Sequence, residues 1–213
     1  MTAPLIIFLH GVGSRGADLA PLGQLWQLLL PGARFAAPDA PFAFDSAPQA
    51  RQWFSVSGIT DSNRPARVQA ARPAFDALIG GLIAEHGLTG HLDRVALVGF
   101  SQGSIMALDA VASGRWPVAA MVAFAGRLAS PEPLAPARES RLLLVHGSAD
   151  PIMPPAESRR AEQLLSAAGL DVARHEIPGL GHQLSAEGVE LAGRFLAQAL
   201  SAQAEASPSA SAR

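Results

Sequence analysis

The chain has 213 residues, 49% hydrophobic and 16% charged, with a formal net charge of −2 and no cysteine. That length suits one α/β domain with a sizeable core, and the near-neutral charge without a basic run speaks against nucleic acid as a partner. The lack of cysteine removes disulfides, thiolate metal sites and a cysteine nucleophile, without fixing the compartment.

Leu5 to Leu9 is an apolar, β-rich run ending in His10-Gly11-Val12-Gly13-Ser14. It is too short for a signal peptide or a membrane span and has no basic region before it. A cytoplasmic chain without stable membrane insertion is therefore expected. The run reads as a central strand followed by a glycine loop, but the loop lacks the third glycine or the P-loop lysine of a nucleotide site. Asp18 is the expected N-cap of the next helix, with Leu22, Leu25, Trp26 and Leu29 as its apolar stripe. Pro31-Gly32 ends that helix, and Ala33 to Ala37 is a weaker strand. Pro38-Asp39-Ala40-Pro41 opens a long irregular loop that runs to about Arg64 and carries Phe42, Phe44, Trp53 and Phe54. Loops this long inside a domain are usually functional.

Val68, Arg72, Phe75, Leu78, Ile79, Leu82 and Ile83 fall at helical spacing, closed by Gly87. Val95 to Phe100 is a buried strand and Gln102 to Gly114 a helix. Between them, Gly99-Phe100-Ser101-Gln102-Gly103 has the G-x-S-x-G pattern of a nucleophile elbow. Such a turn strains the serine backbone and crowds the chain two residues either side, where only glycine avoids a clash. Val118 to Phe124, Leu142 to His146 and Val172 to Ile177 are further strands. Ala161, Leu164, Leu165 and Ala168 mark a helix closed by Gly169, and Val189 to Ala199 a final amphipathic helix. The alternation predicts a single domain over residues 1–200, built on a parallel, doubly wound sheet with helices on both faces. Residues 201–213, small and polar, read as a disordered tail.

Active sites in such sheets lie at the carboxyl ends of the strands. Of six histidines, His86, His91 and His175 are excluded by position. His10 and His146 fit hydrogen-bonding roles, whereas His182 stands in a loop free to reach Ser101. The acid belongs between nucleophile and base in the chain, which selects Asp150, just past the end of its strand. A serine hydroxyl needs a base to become nucleophilic, and the carboxylate would fix the tautomer of that base. Backbone N–H groups of Gln102 and Val12 are placed to stabilise an oxyanion. Trp53, in the long aromatic loop, is expected to line the substrate pocket and limit its depth. There is no H-E-x-x-H and no spaced ligand cluster, so neither a metal nor a cofactor is called for.

These stretches resemble the phospholipase/carboxylesterase group of α/β-hydrolases, which also holds acyl-protein thioesterases. The matching segments are Phe8 to Gly13, Ala37 to Pro41, Arg51 to Ser55, Gly99 to Gly103, His146 to Asp150, and Gly181-His182. The resemblance implies an α/β-hydrolase fold with reduced N-terminal strands and no lid domain. It implies a serine esterase acting on small carboxylic esters or thioesters, with catalytic roles on Ser101, Asp150 and His182 and oxyanion roles on Val12 and Gln102. Val12 and Ser104 stand where the family usually has leucine and glycine, and Arg15 is expected to alter charge at the pocket mouth. An acyl thioesterase is the second reading, and a non-catalytic binding module on the same fold a third. The partner expected is a small-molecule ester; the sequence leaves a homodimer open.

Overall fold

A computed structural model describes residues 2–206. Its strands are β1 (Leu5–Leu9), β2 (Arg34–Ala36), β3 (Phe42–Phe44), β4 (Ala47–Gln52), β5 (Val95–Phe100), β6 (Ala120–Phe124), β7 (Arg141–Gly147) and β8 (Asp171–Ile177). Its α-helices are α1 (Pro21–Trp26), α2 (Arg64–Glu85), α3 (Gln102–Ala112), α4 (Ala156–Ala167) and α5 (Ala186–Ala206). Six strands form one sheet in the order β2-β1-β5-β6-β7-β8, and every pairing in it is parallel. Among the described residues, no helix is long and apolar enough to cross a membrane.

The sheet divides its side chains by the two-residue period of an extended chain. Leu5, Ile7, Leu9, Val95 and Leu97 join one apolar cluster with residues of α2, α3 and α4. Ile6, Phe8, Ala96 and Val98 join the other with residues of α1 and α5. Both faces are therefore covered, which is why the strands read as continuous apolar runs rather than alternating ones. Each large side chain so buried contributes roughly 1.5–3 kcal/mol.

Five features depart from the sequence reading. The long loop after Pro41 contains an antiparallel hairpin, β3 with β4, bulged at Ala43/Phe44. Ala-Pro-Gln-Ala-Arg-Gln has none of the β-branched residues that mark a strand, and its pairing comes from tertiary contacts. The aromatics of that loop divide: Phe42 is 43% exposed, but Trp53 and Phe54 are buried. Asp18 caps no α-helix; it ends a 3-10 turn, Gly16–Asp18, and accepts the Arg15 N–H at 3.0 Å. The following α1 is only six residues long, opens on Pro21, and leaves Leu25 exposed. Finally, α5 runs to Ala206, so residues 201–206 of the expected tail are helical. Their alanine, glutamine and glutamate content favours a helix once a preceding turn exists. Residues 207–213 of that tail lie outside the described residues.

One charge sits inside the helical layer. The Asp109 side chain is fully buried on α3. It accepts hydrogen bonds from Arg72 Nε and Nη2 at 2.9 and 2.8 Å and from Arg115 Nη1 at 2.9 Å. Arg115 and the Trp116 indole also bind Asp76 on α2, at 2.9 and 2.6 Å. Thus Arg72, which shares the apolar spacing of its helix, carries a charged tip to a buried partner. Removing one arginine leaves the carboxylate under-compensated where water cannot reach it. Arg72→Met should lower the unfolding free energy by about 3 kcal/mol in urea titrations. A loss below about 1 kcal/mol would mean that the pair behaves as a surface ion pair.

Candidate active site

The turn between β5 and α3 is dictated by crowding. Ser101 has φ 52° and ψ −114°, a backbone state that L-residues rarely adopt. A Cβ on Gly99 would lie 2.4 Å from Ser104 N, and one on Gly103 would lie 2.0 Å from Leu9 O. Both glycines of the motif are thus required by contact with backbone, which cannot give way as a side chain tip can. Ser101 N–H donates to Phe124 O at 2.9 Å, and Ser104 Oγ donates to the same carbonyl at 2.8 Å. Ser104 therefore pins the turn to the neighbouring strand.

The three residues singled out by position meet. His182 Nε2 lies 2.9 Å from Ser101 Oγ, and His182 Nδ1 lies 2.7 Å from Asp150 Oδ2. Nδ1–H donates to the carboxylate, which leaves the Nε2 lone pair for the serine hydroxyl. The Phe100 ring packs 5.1 Å from the imidazole, centre to centre. The other carboxylate oxygen, Asp150 Oδ1, accepts N–H bonds from Ile152 at 2.9 Å and Met153 at 2.8 Å. Burial pushes the Asp150 carboxyl up, but the bonds from Met153, His182 and Ile152 together outweigh it and hold it below the usual carboxylate range. The acid is therefore ionised at neutral pH.

His10 and His146 brace the loops around this line. His10 Nδ1 donates to Gly11 O at 2.7 Å, and Nε2 accepts from Ala40 N–H at 2.9 Å. Those two bonds define a neutral ring, and burial accordingly lowers its pKa. His146 Nε2 donates to Met153 O at 2.8 Å and lies 3.4 Å from Asp150 Oδ2. Met153 is thus held through both its N–H, by the carboxylate, and its carbonyl, by the imidazole.

The glycine loop after β1 is fixed from the hairpin side. Gly13 N–H donates to Arg51 O at 2.9 Å and Arg51 N–H to Ser14 O at 3.0 Å, while the Arg51 side chain binds Ala40 O. Val12 therefore stands in a braced turn, and Gln102 opens α3, where first-turn N–H groups have no intrahelical acceptor. Arg15 faces Asp39 through Nε and Nη2 at 3.1 and 2.7 Å, and Gly16 N–H completes the pair. Its charge is committed to that contact rather than left open.

Sequence reasoning missed the side chain of Gln102. Its Oε1 accepts Trp53 N–H at 2.8 Å and its Nε2 donates to Phe54 O at 2.7 Å, so one amide clamps two peptide groups of the loop. An amide side chain in the first turn of α3, directly after Ser101, was the available signal. Trp53 itself is 1% exposed. Its indole donates to His10 O at 2.8 Å, and its ring meets those of Phe75 and His10. It lines neither the cavity at the starts of α2 and α4 nor the one beside the β3–β4 hairpin. Among the described residues, no three His, Cys, Asp or Glu side chains converge as metal ligands would.

The chain is similar to known proteins along most of its length. The chain is 33% identical to the esterase YpfH of Escherichia coli over 189 residues, covering 88% of this chain and 79% of that protein. It is 26% identical to acyl-protein thioesterase 1 of Neurospora crassa, over 92% of this chain and 86% of the other. The crystal structure of esterase PE8 superposes with a TM-score of 0.82 at 34% identity, over 92% of this chain and 93% of that one. The family model described as phospholipase/carboxylesterase matches residues 1–200. The chain therefore belongs to the phospholipase/carboxylesterase family, whose α/β-hydrolase fold it shares, and is a hydrolase of carboxylesterase or thioesterase type.

Proposed function

We propose that this protein is a serine carboxylesterase that hydrolyses small to medium carboxylic esters through an acyl-enzyme on Ser101. The observation that carries the reading is the unbroken line of hydrogen bonds from Asp150 through His182 to Ser101, at 2.7 and 2.9 Å. In this scheme Ser101 Oγ attacks the ester carbonyl while His182 Nε2 takes its proton. The tetrahedral oxyanion receives N–H donors from Val12 and Gln102, with the α3 N-terminus adding its partial positive charge. His182 returns the proton to the departing alcohol. A water molecule, deprotonated in turn by His182, releases the acid. Asp150 stays ionised throughout and stabilises the imidazolium. Nothing in the cycle requires a partner other than the ester, and the cytoplasm remains the expected compartment.

The second reading, an acyl thioesterase, is favoured by the relatives described as acyl-protein thioesterases. It uses the same residues and differs only in the leaving atom. Matched oxygen and sulfur esters of one acid distinguish the two: a kcat/KM larger on the oxygen ester supports the esterase, and the reverse order the thioesterase.

Ser101→Ala, Asp150→Ala and His182→Ala should each cut kcat severely, by on the order of 10⁴-fold, with unchanged circular dichroism. Asp150→Ala combined with His182→Ala should be scarcely worse than the poorer single variant; multiplicative losses would show that the two act separately. In the pH profile of kcat/KM, activity should fall on acidification, because only a neutral imidazole can accept the serine proton. Because the Asp150 carboxyl lies below the ordinary carboxylate range, it should add no second step between about pH 5 and about pH 8. A flat profile there would exclude a histidine base.

Trp53 enters this scheme as a support, not as a wall. Trp53→Phe removes the indole donor and leaves His10 O buried and unpaired, which should cost about 1–3 kcal/mol of stability. It should scale kcat/KM by a similar factor for short and longer acyl esters. A change confined to one end of the acyl series would put the ring back in the pocket wall.

A further inference from the structure

His146 is buried, and the catalytic cycle above does not use it. It stands near the end of β7, from which both the acid and the base loops hang. Asp150 N–H donates to Gly147 O at 3.3 Å, and Ala149 N–H donates to Leu180 O at 3.0 Å. A Cβ on Gly147 would lie 2.2 Å from that same Leu180 oxygen, so the two loops touch at the strand end. His146 pairs with Glu176 of β8, which sets its ring on a rigid strand.

The loop after Asp150 has few donors of its own. Residues 151–155 read Pro-Ile-Met-Pro-Pro, and proline has no N–H to give. The N–H groups that remain, of Ile152 and Met153, both go to Asp150 Oδ1, at 2.9 and 2.8 Å. Acid and loop therefore hold each other, and the bond from His146 ties the pair to the sheet. Its Nε2–H donates to Met153 O at 2.8 Å, and the same nitrogen lies 3.4 Å from Asp150 Oδ2. The other ring nitrogen, Nδ1, is buried with no partner among the described residues. An orphaned buried acceptor is a cost that a phenylalanine in the same space would not carry. The histidine is thus explained by its donor, not by its bulk.

We propose that His146 is a positioning residue for Asp150: by anchoring the Met153 peptide to β7, it fixes the direction in which the carboxylate meets His182. The inference rests on the serine esterase reading above. His146 takes no proton and touches no reacting atom; it acts through Met153 and Asp150. Of the bonds that hold the Asp150 carboxyl below its usual range, the one from Met153 N–H weighs most. A tilt of that peptide would turn Oδ2 away from His182 Nδ1, and small errors of orientation lower rate more than binding.

The test uses His146→Phe, which keeps a ring and removes both nitrogens, and His146→Gln, whose amide N–H reaches about as far as Nε2. On phenyl acetate, His146→Phe should lower kcat about tenfold with KM within about twofold of wild type, and His146→Gln should regain most of the loss. Proton NMR gives a readout that needs no turnover. The downfield Nδ1–H resonance of His182, assigned by its absence in His182→Ala, should shift or broaden in His146→Phe and return in His146→Gln. If His146→Phe does not fold, His146→Asn, polar but too short to reach Met153 O, carries the same expectation. A folded His146→Phe or His146→Asn with wild-type kcat and an unmoved resonance, even if less stable to urea, would overturn the proposal. So would a loss confined to KM. If wild-type protein hydrolyses no ester while the resonance still responds to His146, the positioning stands and the esterase reading fails.

Discussion

The whole site depends on one close approach, that of α3 to the end of β1. Space for a Cβ on Gly103 is already filled by Leu9 O, and on Gly99 by the backbone of Ser104. No side chain larger than hydrogen fits at either point. The chain is therefore driven through a turn in which Ser101 takes a positive φ, a local cost of order 1–3 kcal/mol. That cost is met by the packed layers on both sides, which are too dense to let the turn relax. The same approach brings the glycine loop after β1 beside the start of α3. The two proposed oxyanion donors, Val12 and Gln102, are thereby neighbours without any special provision.

Around that turn, fixed hydrogen bonds replace the freedom of loops. Asp150 Oδ1 is occupied by two backbone N–H groups, so its other oxygen is the one presented to His182. His10, His146, Arg51 and the Gln102 amide each tie one loop to another, with no part assigned to them in the chemistry. Such bracing is what keeps a polar site ordered before a ligand arrives, so that little reorganisation remains for the reaction. It also explains why a tryptophan belongs behind the site: its indole fills the gap between α2 and the His10 carbonyl while satisfying that carbonyl.

The sheet was legible in the sequence because its inner strands β1, β5, β6 and β7 are buried on both faces and read as apolar runs. Ser101, Asp150 and His182 could be selected because each lies just past the carboxyl end of a strand, a matter of counting along the chain. What stayed hidden depends on contacts between distant segments. In the β3–β4 hairpin, β4 has no strand-forming composition, and its Arg51 pairs with Ser14, far away in the chain. The loop position of Trp53 suggested exposure, but its fate was decided by the cavity between Phe75 and His10, which no local pattern encodes. Residues 201–206 looked like a tail because they lack apolar periodicity, yet the backbone continues a helix already formed. Arg64, Arg127 and Arg160 come from three separate segments yet line one cavity, and only the fold makes them one group.

The central claim is that Ser101 is the nucleophile and that its neighbours make it reactive. The most direct measurement is intact-mass and peptide mass spectrometry after exposure to a small fluorophosphonate, an electrophile that needs an activated serine but no substrate recognition. The account predicts one adduct per chain, located on Ser101, formed rapidly in the native protein and not after denaturation. Absence of any adduct, or an adduct on another serine with Ser101 unmodified, would contradict it.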